Sequence, residues 1–282
     1  FQRIINEHGP ESVAFYLSGQ LLTEDYYVAN KLMKGFIGSS NVDTNSRLCM
    51  SSAVTGHQRA FGEDIVPGCY DDLEQADLVL LVGSNMAWTH PILHQRLLKA
   101  KEANPKLRIV VLDPRSTATA QLADVHLPLA PDSDTSFFVG LLAHLAGHNR
   151  LDLDFIADHC QGFDDTLMLA RKTNPDVSSV AKACNLPTEQ VAQVFNWFCQ
   201  TPKVVSVFSQ GVNQSTSGSD KVSAIINCHL ASGKIGKPGA TPFSITGQPN
   251  AMGGREVGGE CVVSVLVWCW YGVLMCSVLI LG

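Results

Sequence analysis

Short apolar runs alternate with longer stretches of mixed polarity along most of the chain. Apolar runs of five or six residues that end at a turn predict buried strands at Ser12–Leu17, Leu78–Val82, Leu107–Leu112, Val125–Leu129 and Val204–Phe208. Apolar residues at helical spacing predict helices over Thr23–Gly38, Pro91–Ala103, Ser133–Gly147, Thr188–Cys199 and Ser219–Ser232. This alternation is typical of a parallel α/β fold, in which ligands bind at the carboxyl ends of the strands.

Three other segments have patterns of their own. Residues 149–185 mix charges with Gly162 and Pro175 without clear periodicity, which predicts a peripheral region. Asn45–Ser52 is predicted to be a polar loop close to the strand ends. Gly247–Gly259 contains five glycines, which predicts a loop whose backbone lines a ligand, because glycine lets the backbone approach another molecule closely.

Composition and charge exclude several classes of protein. The chain has 282 residues, of which 45% are apolar and 16% charged, and its net charge is −6. This apolar content excludes a disordered chain. The acidic balance, without a run of Lys or Arg, argues against binding of duplex nucleic acid, which requires basic residues opposite the phosphates.

The end of the chain differs in composition from the rest. All 46 charged residues lie within the first 260, and 18 of the 21 residues in Cys261–Leu281 are apolar. This length and composition meet the criterion for a membrane span. Three interpretations stay open: a membrane anchor, a buried helix or strand, and an out-of-frame or misassembled end. At the other end, the start at Phe1 without Met is expected of a piece from inside a longer gene product.

The cysteines argue against a structural metal site but single out one residue. Nine cysteines are scattered without any Cys-x-x-Cys pair, whereas zinc and iron–sulfur sites usually use closely spaced pairs. Cys49 differs from the others because it lies in a polar segment two residues after Arg47. A nearby guanidinium favours the thiolate, the form that ligates soft metals.

Two strand ends carry groups suited to a nucleotide. Gly83-Ser84-Asn85 follows the strand Leu78–Val82, and Asp113 ends the next predicted strand. A glycine turn can place backbone N–H groups against a phosphate, and an acidic side chain at a strand end can accept a hydrogen bond from ribose or purine. Gly-x-Gly-x-x-Gly is absent, so an ordinary strand-end turn stays open as the alternative.

Taken together, several stretches resemble the catalytic subunit of prokaryotic molybdopterin oxidoreductases, most closely the assimilatory nitrate reductases. They span about 240 residues in the order found in that family, and they are Ser18–Gln20, Asn45–Ser52, Gly68–Asp72, Val82–Pro91, Leu112–Ser116, Gln210–Gln214 and Gly247–Gly259. The resemblance implies an α/β fold. Residues 1–48 and 203–259 would form one parallel-sheet domain, residues 49–202 an inserted dinucleotide-binding-like (Rossmann-type) domain, and residues 260–282 the apolar tail.

The resemblance also implies a reaction and its cofactors. Nitrate would be reduced to nitrite by oxygen-atom transfer at molybdenum held by bis(molybdopterin guanine dinucleotide). Two electrons would arrive from ferredoxin, flavodoxin or an NADH-linked subunit through a 4Fe-4S cluster, whose ligands lie outside this chain. The family further implies a cytoplasmic protein without a membrane or nucleic-acid partner, and a fragment that is inactive by itself because part of the cofactor site is missing.

The family's functional residues map onto individual positions. Cys49 matches the thiolate ligand of molybdenum, and Arg255 matches the arginine beside the metal that binds substrate. The positions that match cofactor-binding residues are Gln20, Asn45, Val82, Gly83, Ser84, Asn85, Met86, Ala87, Trp88, Thr89, Leu112, Asp113, Pro114, Arg115, Ser116, Asp132, Ser133, Asp134, Gln210 and Gln214.

Other functions remain as alternatives. Formate dehydrogenases of the family usually have His after the ligand cysteine, whereas this chain has Met50, which favours nitrate. The large peripheral subunit of respiratory complex I shares the fold without molybdenum, but Cys49 and Arg255 argue against this scaffold role. A membrane-anchored remnant without catalysis is supported by the tail alone. The tail resembles nothing in the family, which favours the out-of-frame interpretation.

Overall fold

The computed structural model describes residues 1–258, so the apolar tail Cys261–Leu281 lies outside the described residues. The strands are β1 (Phe15–Leu17), β2 (Val42–Thr44), β3 (Leu78–Val82), β4 (Arg108–Leu112), β5 (Val125–Leu127), β6 (Val204–Phe208) and β7 (Thr241–Ser244). Within residues 1–258, no helix is both long enough and apolar enough to cross a membrane.

The helices in the first part of the chain are α1 (Gln2–His8), α2 (Thr23–Asn30), α3 (Ser46–Phe61), α4 (Asp72–Gln75), α5 (Met86–Thr89) and α6 (Pro91–Ala103). Those that follow are α7 (Asp134–Gly147), α8 (Leu153–His159), α9 (Phe163–Thr173), α10 (Val177–Cys184), α11 (Thr188–Gln200), α12 (Gln210–Asn213), α13 (Gly218–Ala231) and α14 (Ala251–Glu256). A π-helical turn, Lys31–Ile37, continues α2, and short 3₁₀ turns lie at Pro10–Ser12 and Ala118–Leu122.

The chain divides into two compact units. Among the described residues, the smaller unit comprises 1–49 and 248–258, and the larger comprises 50–247. In the smaller unit, β1 and β2 form a parallel pair in which Phe15 lies opposite Val42. Helix α2 packs against α14, where Tyr26 is fully buried.

The larger unit is built on one parallel sheet with the strand order β5-β4-β3-β6-β7. Leu78 at the start of β3 lies opposite Arg108 on one neighbouring strand and Val204 on the other. The first strand of this unit therefore lies at the centre, and the chain builds outward on one side before crossing to the other. This is the strand order of dinucleotide-binding folds, and it confirms the predicted α/β class with parallel sheets.

All five residues of β3 are buried, because both faces of the sheet are covered. Leu78, Leu80 and Val82 belong to a large core cluster with apolar residues of α7, α11 and α13. Val79 and Leu81 belong to a second cluster with residues of α6. A strand buried on both faces reads as a continuous apolar run, which is why Leu78–Val82 was predicted with its observed bounds.

The domain arrangement differs from the one expected for residues 203–247. These residues were expected to join residues 1–48, but their strands β6 and β7 pair in parallel with the sheet of the larger unit. Residue Val204 forms its pairing with Leu78 near the middle of that sheet. The chain returns to the smaller unit at residue 248, whereas the break after residue 49 lies next to the expected boundary.

Two segments for which the sequence pattern predicts no helix are helical. Residues 149–185, predicted as a peripheral region, form α8, α9 and α10, and α10 packs against α7 so closely that a Cβ on Gly140 would overlap Val180. The side chains of Asp152 and Asp176 accept backbone N–H groups at the starts of α8 and α10, which stabilises these short helices. The predicted loop Asn45–Ser52 is instead the start of α3, which is kinked at Met50.

Candidate functional site

The turns that follow β3 and β6 touch each other at the centre of the larger sheet. The N–H of Gly211 donates to the carbonyl oxygen of Gly83 over 2.9 Å, and the N–H of Gly83 donates to the carbonyl oxygen of Leu112, also over 2.9 Å. A Cβ on Gly83 would lie 2.8 Å from the Cα of Gly211, and Gly83 has φ +53°. Sheets of this kind bind ligands at the point where the strand order reverses. At this point of the larger sheet, the two turns contact each other through backbone atoms.

A cavity of about 430 Å³ opens at this edge of the sheet, and we call it the switch-point cavity. Its volume lies within the range of about 300–1,000 Å³ that is typical of small-molecule sites. The residues predicted from sequence that line it are Gly83, Leu112, Asp113, Pro114, Arg115, Asp132, Asp134 and Gln214. Four separate segments that were selected as cofactor-binding therefore meet at one cavity.

The turn after β3 is held in an uncommon conformation. Asn85 has a left-handed backbone with φ 39°, and its side-chain oxygen accepts a hydrogen bond of 3.1 Å from Thr119 Oγ1. Thr119 Oγ1 in turn accepts the N–H of Ala87 over 3.0 Å. The Oγ of Ser84 is buried without a hydrogen-bond partner among the described residues, so this turn keeps an unused polar group close to Gly83.

Other predicted residues of these segments do not line the switch-point cavity. The side chains of Val82 and Met86 are fully buried in the core, whereas that of Trp88 is 73% exposed. Thr89 Oγ1 donates to the carbonyl oxygen of Ser84 over 3.0 Å and so closes the turn. The remaining predicted residues of this unit outside the lining are Ser84, Asn85, Ala87, Ser116, Ser133 and Gln210. The helix after the turn, α5, is only four residues long.

The end of β4 presents a buried carboxylate. Asp113 is 7% exposed, and its Oδ1 accepts the N–H of Arg115 over 2.9 Å. The carbonyl oxygen of Asp113 accepts a hydrogen bond of 2.9 Å from His126 Nε2 on the next strand. These contacts hold Asp113 at the carboxyl end of the sheet, where the sequence predicted an acidic residue.

The wall of the cavity contains a charge cluster that the sequence analysis missed. Lys221 on α13 is 2% exposed, and its Nζ lies 2.9 Å from Oδ1 of Asp132 and 2.8 Å from Oδ2 of Asp134. Burial acts to lower the pKa of Lys221, but the hydrogen bonds to the two carboxylates outweigh it, so that the pKa is raised. The hydrogen bond from Lys221 is also the main reason that the pKa of Asp132 lies well below its ordinary value.

A signal for Lys221 was present in the sequence. It lies four residues before Ile225 and eight before His229, both fully buried, and therefore occupies the apolar face of α13. A lysine on the buried face of a helix requires a carboxylate partner, because an unpaired buried charge is costly. Gly211, Ser215 and Thr216 also line the cavity and were not selected from the sequence.

In the smaller unit, hydrogen bonds join three predicted segments. The N–H of Gly19, in the turn after β1, donates to Asn45 Oδ1 over 2.8 Å. Ser46 Oγ donates to Gln248 Oε1 over 2.6 Å, and the N–H of Asn250 donates to the carbonyl oxygen of Gly19 over 3.3 Å. The turn, the start of α3 and the glycine-rich segment therefore form one connected structure.

Close packing explains two glycines of this unit, Gly19 and Gly254. A Cβ on Gly19 would overlap the side chains of Ser46 and Gln248, and one on Gly254 would approach the ring of Tyr26 to 3.1 Å. The glycine-rich segment, predicted as a loop, thus includes the short helix α14, which carries Arg255. Cys49 lies in the first turn of α3, where its N–H donates to the carbonyl oxygen of Asn45 over 3.1 Å.

The predicted residues of the smaller unit differ in exposure. Cys49 and Arg255 are half-buried, and Gln20 is exposed directly after Gly19. The amide oxygen of Asn45 is used to hold the turn at Gly19. Each predicted residue of this unit therefore lies in or next to one of the three connected segments.

Comparison with known proteins assigns the chain to a group. Residues 1–267 match the family model described as molybdopterin oxidoreductase. A nitrate reductase of Klebsiella oxytoca is 58% identical over 258 residues, which cover 92% of this chain and 29% of that protein. A nitrate reductase of Shewanella frigidimarina is 58% identical over 92% of this chain and 28% of its own length. A periplasmic nitrate reductase of Desulfovibrio desulfuricans is 39% identical over 92% of this chain and 35% of its own length.

A solved structure supports the fold. Acetylene hydratase from Pelobacter acetylenicus superposes with a TM-score of 0.68 at 20% sequence identity, over 86% of this chain and 32% of that one. At this identity the likeness concerns the fold alone. The chain spans about a third of the length of the relatives it matches.

Proposed function

Because the chain belongs to the molybdopterin oxidoreductase family, we propose that it is part of the catalytic subunit of a nitrate reductase. Membership of the family implies a molybdenum–molybdopterin cofactor, and the relatives named nitrate reductase favour nitrate as the substrate. The cofactor is proposed to be the bis(molybdopterin guanine dinucleotide) form. The whole protein would also carry a 4Fe-4S cluster outside this chain and receive electrons from ferredoxin, flavodoxin or an NADH-linked subunit.

The observation that carries the proposal is the meeting of separate segments at the switch-point cavity. Gly83, Asp113, Asp132 and Gln214 lie far apart in sequence and line the same space. They follow the carboxyl ends of β3, β4, β5 and β6, and this edge is where a parallel sheet of this order binds a nucleotide. The residues present also fit the group: Gly83 and Gly211 leave no side chain between the turns, and Ser84 Oγ is a buried polar atom without a partner in the described chain.

In this proposal the larger unit holds one guanosine and its phosphates. Asp113 accepts a hydrogen bond from the ribose or the base, and backbone N–H groups near Gly83 face phosphate oxygens. Arg115 lines the same cavity and supplies a positive charge for the phosphates. Val82 and Met86, whose side chains are buried in the core, would shape the turn after β3.

The smaller unit is proposed to hold the reacting end of the site. Cys49 would be the protein ligand of molybdenum, since a thiolate suits a soft metal. Arg255 would bind nitrate, because a planar guanidinium donates two parallel hydrogen bonds to a flat oxyanion. Gln20 and Asn45 would contact the pterin parts, and the resemblance gives Gln210 and Gln214 of the larger unit the same role. When bound, the cofactor supplies oxygen-atom transfer and two electrons, while the protein's own groups place and orient nitrate.

We also propose a cytoplasmic location. The relatives that are 58% identical are named nitrate reductase, whereas the relative named periplasmic nitrate reductase is 39% identical. The stretch Trp88–Pro91 likewise resembles the assimilatory branch.

The proposal can be tested on the complete subunit that contains this chain. The subunit, produced in a molybdenum-replete host, should contain molybdenum and reduce nitrate with an artificial electron donor such as reduced viologen. A protein that contains molybdenum but oxidises formate in place of reducing nitrate would overturn the substrate assignment. A protein without molybdenum would favour a scaffold role and overturn the enzyme.

The nucleotide site can be tested on the 282-residue chain itself. Isothermal titration should show binding of GDP, as a probe for the guanosine and pyrophosphate of the cofactor, in preference to ADP. Equal binding of both nucleotides, or of neither, would overturn the assignment of the switch-point cavity.

A further inference from the structure

Asp132 has one occupied and one open carboxylate oxygen. Its Oδ1 accepts hydrogen bonds from Ser215 Oγ over 2.7 Å and Ser217 Oγ over 2.9 Å, and it also receives Lys221 Nζ over 2.9 Å. In the described part of the chain, Oδ2 of Asp132 accepts no hydrogen bond, and the side chain is 57% exposed beside the switch-point cavity. Three donors on one oxygen fix the orientation of the carboxylate and leave the other oxygen available.

The backbone at Asp132 also needs support. Asp132 has φ 69°, which is uncommon for a residue other than glycine. Lys221 reaches across from α13 to Asp132 and to Asp134 at the start of α7, and it thereby joins the loop to both helices. Since Lys221 is 2% exposed, its ammonium group has exchanged water for these two carboxylates.

We infer that Lys221 is a positioning residue that orients Asp132 so that the cavity selects guanine over adenine. This inference rests on the proposed nucleotide site and adds to it the device that selects the base. A carboxylate oxygen is an acceptor only, and the open Oδ2 of Asp132 can accept an N–H of guanine, which carries donors at both N1 and N2. Adenine has an acceptor at N1, which a carboxylate repels. Without Lys221 the two aspartates would repel each other, and one would be protonated more easily.

The other charged groups near the cavity are not hydrogen-bonded to Asp132 in the described part of the chain. Asp113 and Arg115 also line the cavity, and the backbone N–H of Arg115 donates to Asp113 Oδ1. Asp220, next to Lys221 in the chain, faces Arg59 at 3.4 Å. The cluster that orients Asp132 therefore consists of Lys221, Asp134 and the two serines.

The test compares nucleotide binding by variants of the 282-residue chain. Isothermal titration with GDP and with ADP is carried out at pH 7.5 and pH 5.5. Lys221→Met should bind GDP about tenfold or more weakly, because the charge-assisted hydrogen bond from Lys221 that orients Asp132 is lost. This variant should also lose the preference for GDP and bind GDP more weakly at pH 5.5 than at pH 7.5. Lys221→Arg keeps the charge and should restore most of the preference.

A matched control is Lys234→Met, since Lys234 is also buried, at 8% exposed, but does not line the switch-point cavity. It should leave the GDP-to-ADP preference and its pH dependence unchanged. The inference is overturned if wild type prefers GDP and Lys221→Met keeps that preference, or if Lys234→Met loses it equally.

If Lys221→Met does not fold, a second variant tests the inference. Replacing Ser215 and Ser217 together by Ala removes two of the three donors to Asp132 from half-buried positions. The preference for GDP should fall, and an unchanged preference would overturn the inference. Absence of any preference in wild type would overturn the nucleotide site itself, and this inference with it.

Discussion

Ser206 Oγ on β6 lies 2.8 Å from Nε2 of His229 on α13, and both residues are fully buried. The Nδ1 of His229 lies 2.9 Å from the carbonyl oxygen of Lys234, so Nδ1 carries the proton and Nε2 accepts from the serine. Full burial of the ring disfavours its charged form. Burial therefore lowers the pKa of His229 to about 4.

This arrangement predicts acid sensitivity. The unfolded chain binds the proton at about pH 6.5 and the folded chain only at about pH 4, so the stabilisation is complete above pH 6.5 and is lost as the pH falls to 4. The difference corresponds to about 3 kcal/mol in the free energy of unfolding. Urea denaturation at several pH values should show a smaller loss in His229→Gln. His159→Gln, at an exposed histidine, should behave as wild type, and equal losses in all three proteins would contradict the assignment.

The contact between Gly83 and Gly211 predicts a strict requirement for glycine. Gly83→Ala would place a Cβ 2.8 Å from backbone and force a side chain onto φ +53°. We expect a loss of about 2–4 kcal/mol in the free energy of unfolding, measured by urea denaturation, together with weaker GDP binding. Gly147→Ala is the control, because nothing lies within 4 Å of its Cβ. A Gly83→Ala variant as stable as Gly147→Ala would show that the two turns do not touch.

Cys49 should matter for chemistry more than for folding. In the complete subunit, Cys49→Ala should leave the melting temperature nearly unchanged, because the side chain is half-buried, but should abolish nitrate reduction. Cys69→Ala, at an exposed cysteine, should retain most activity. Turnover above about a tenth of wild type in Cys49→Ala, a difference of only ~1.4 kcal/mol in the barrier, would exclude a metal ligand.

Arg255 should affect nitrate without affecting the metal. Loss of a charged hydrogen bond costs about 1.5–3 kcal/mol, so Arg255→Ala should lower kcat/KM for nitrate by roughly 10- to 150-fold. Arg255→Lys keeps the charge but loses the two-pronged geometry and should lie between. Molybdenum content, measured in parallel, should equal that of wild type. Metal loss alongside activity would instead place Arg255 in the pterin-binding part of the site.

Parts of the fold with purely local signals were predictable from the sequence. β3 and β6 were predicted with their observed bounds, because each is a run of mainly β-branched or apolar residues followed by a turn. β7 was missed because Thr241 and Pro242 interrupt the apolar pattern. β7 lies at the edge of the sheet, where a strand can contain proline. This edge position is known only from the strand order, which the local sequence does not give.

The same distinction holds for the candidate site. Gly83 and Asp113 were predicted because each directly follows an apolar run and so marks the end of a strand. Lys221 was missed because its partners lie more than 80 residues earlier, at Asp132 and Asp134. Likewise, the need for glycine at Gly211 arises from its contact with Gly83, whose Cα would lie 2.6 Å from an added Cβ. Local pattern locates turns, whereas tertiary contacts decide which turns share a cavity.

The strand order of the larger unit has a consequence for synthesis on the ribosome. Leu78 pairs with Arg108 and, on its other side, with Val204. The edge of β3 that receives β6 therefore stays unpaired while more than a hundred further residues are made. An exposed, wholly apolar strand edge is prone to aggregation, and non-local pairing slows folding. Nascent chains that stop before Val204 should accordingly depend on chaperones, and release should follow once β6 has emerged.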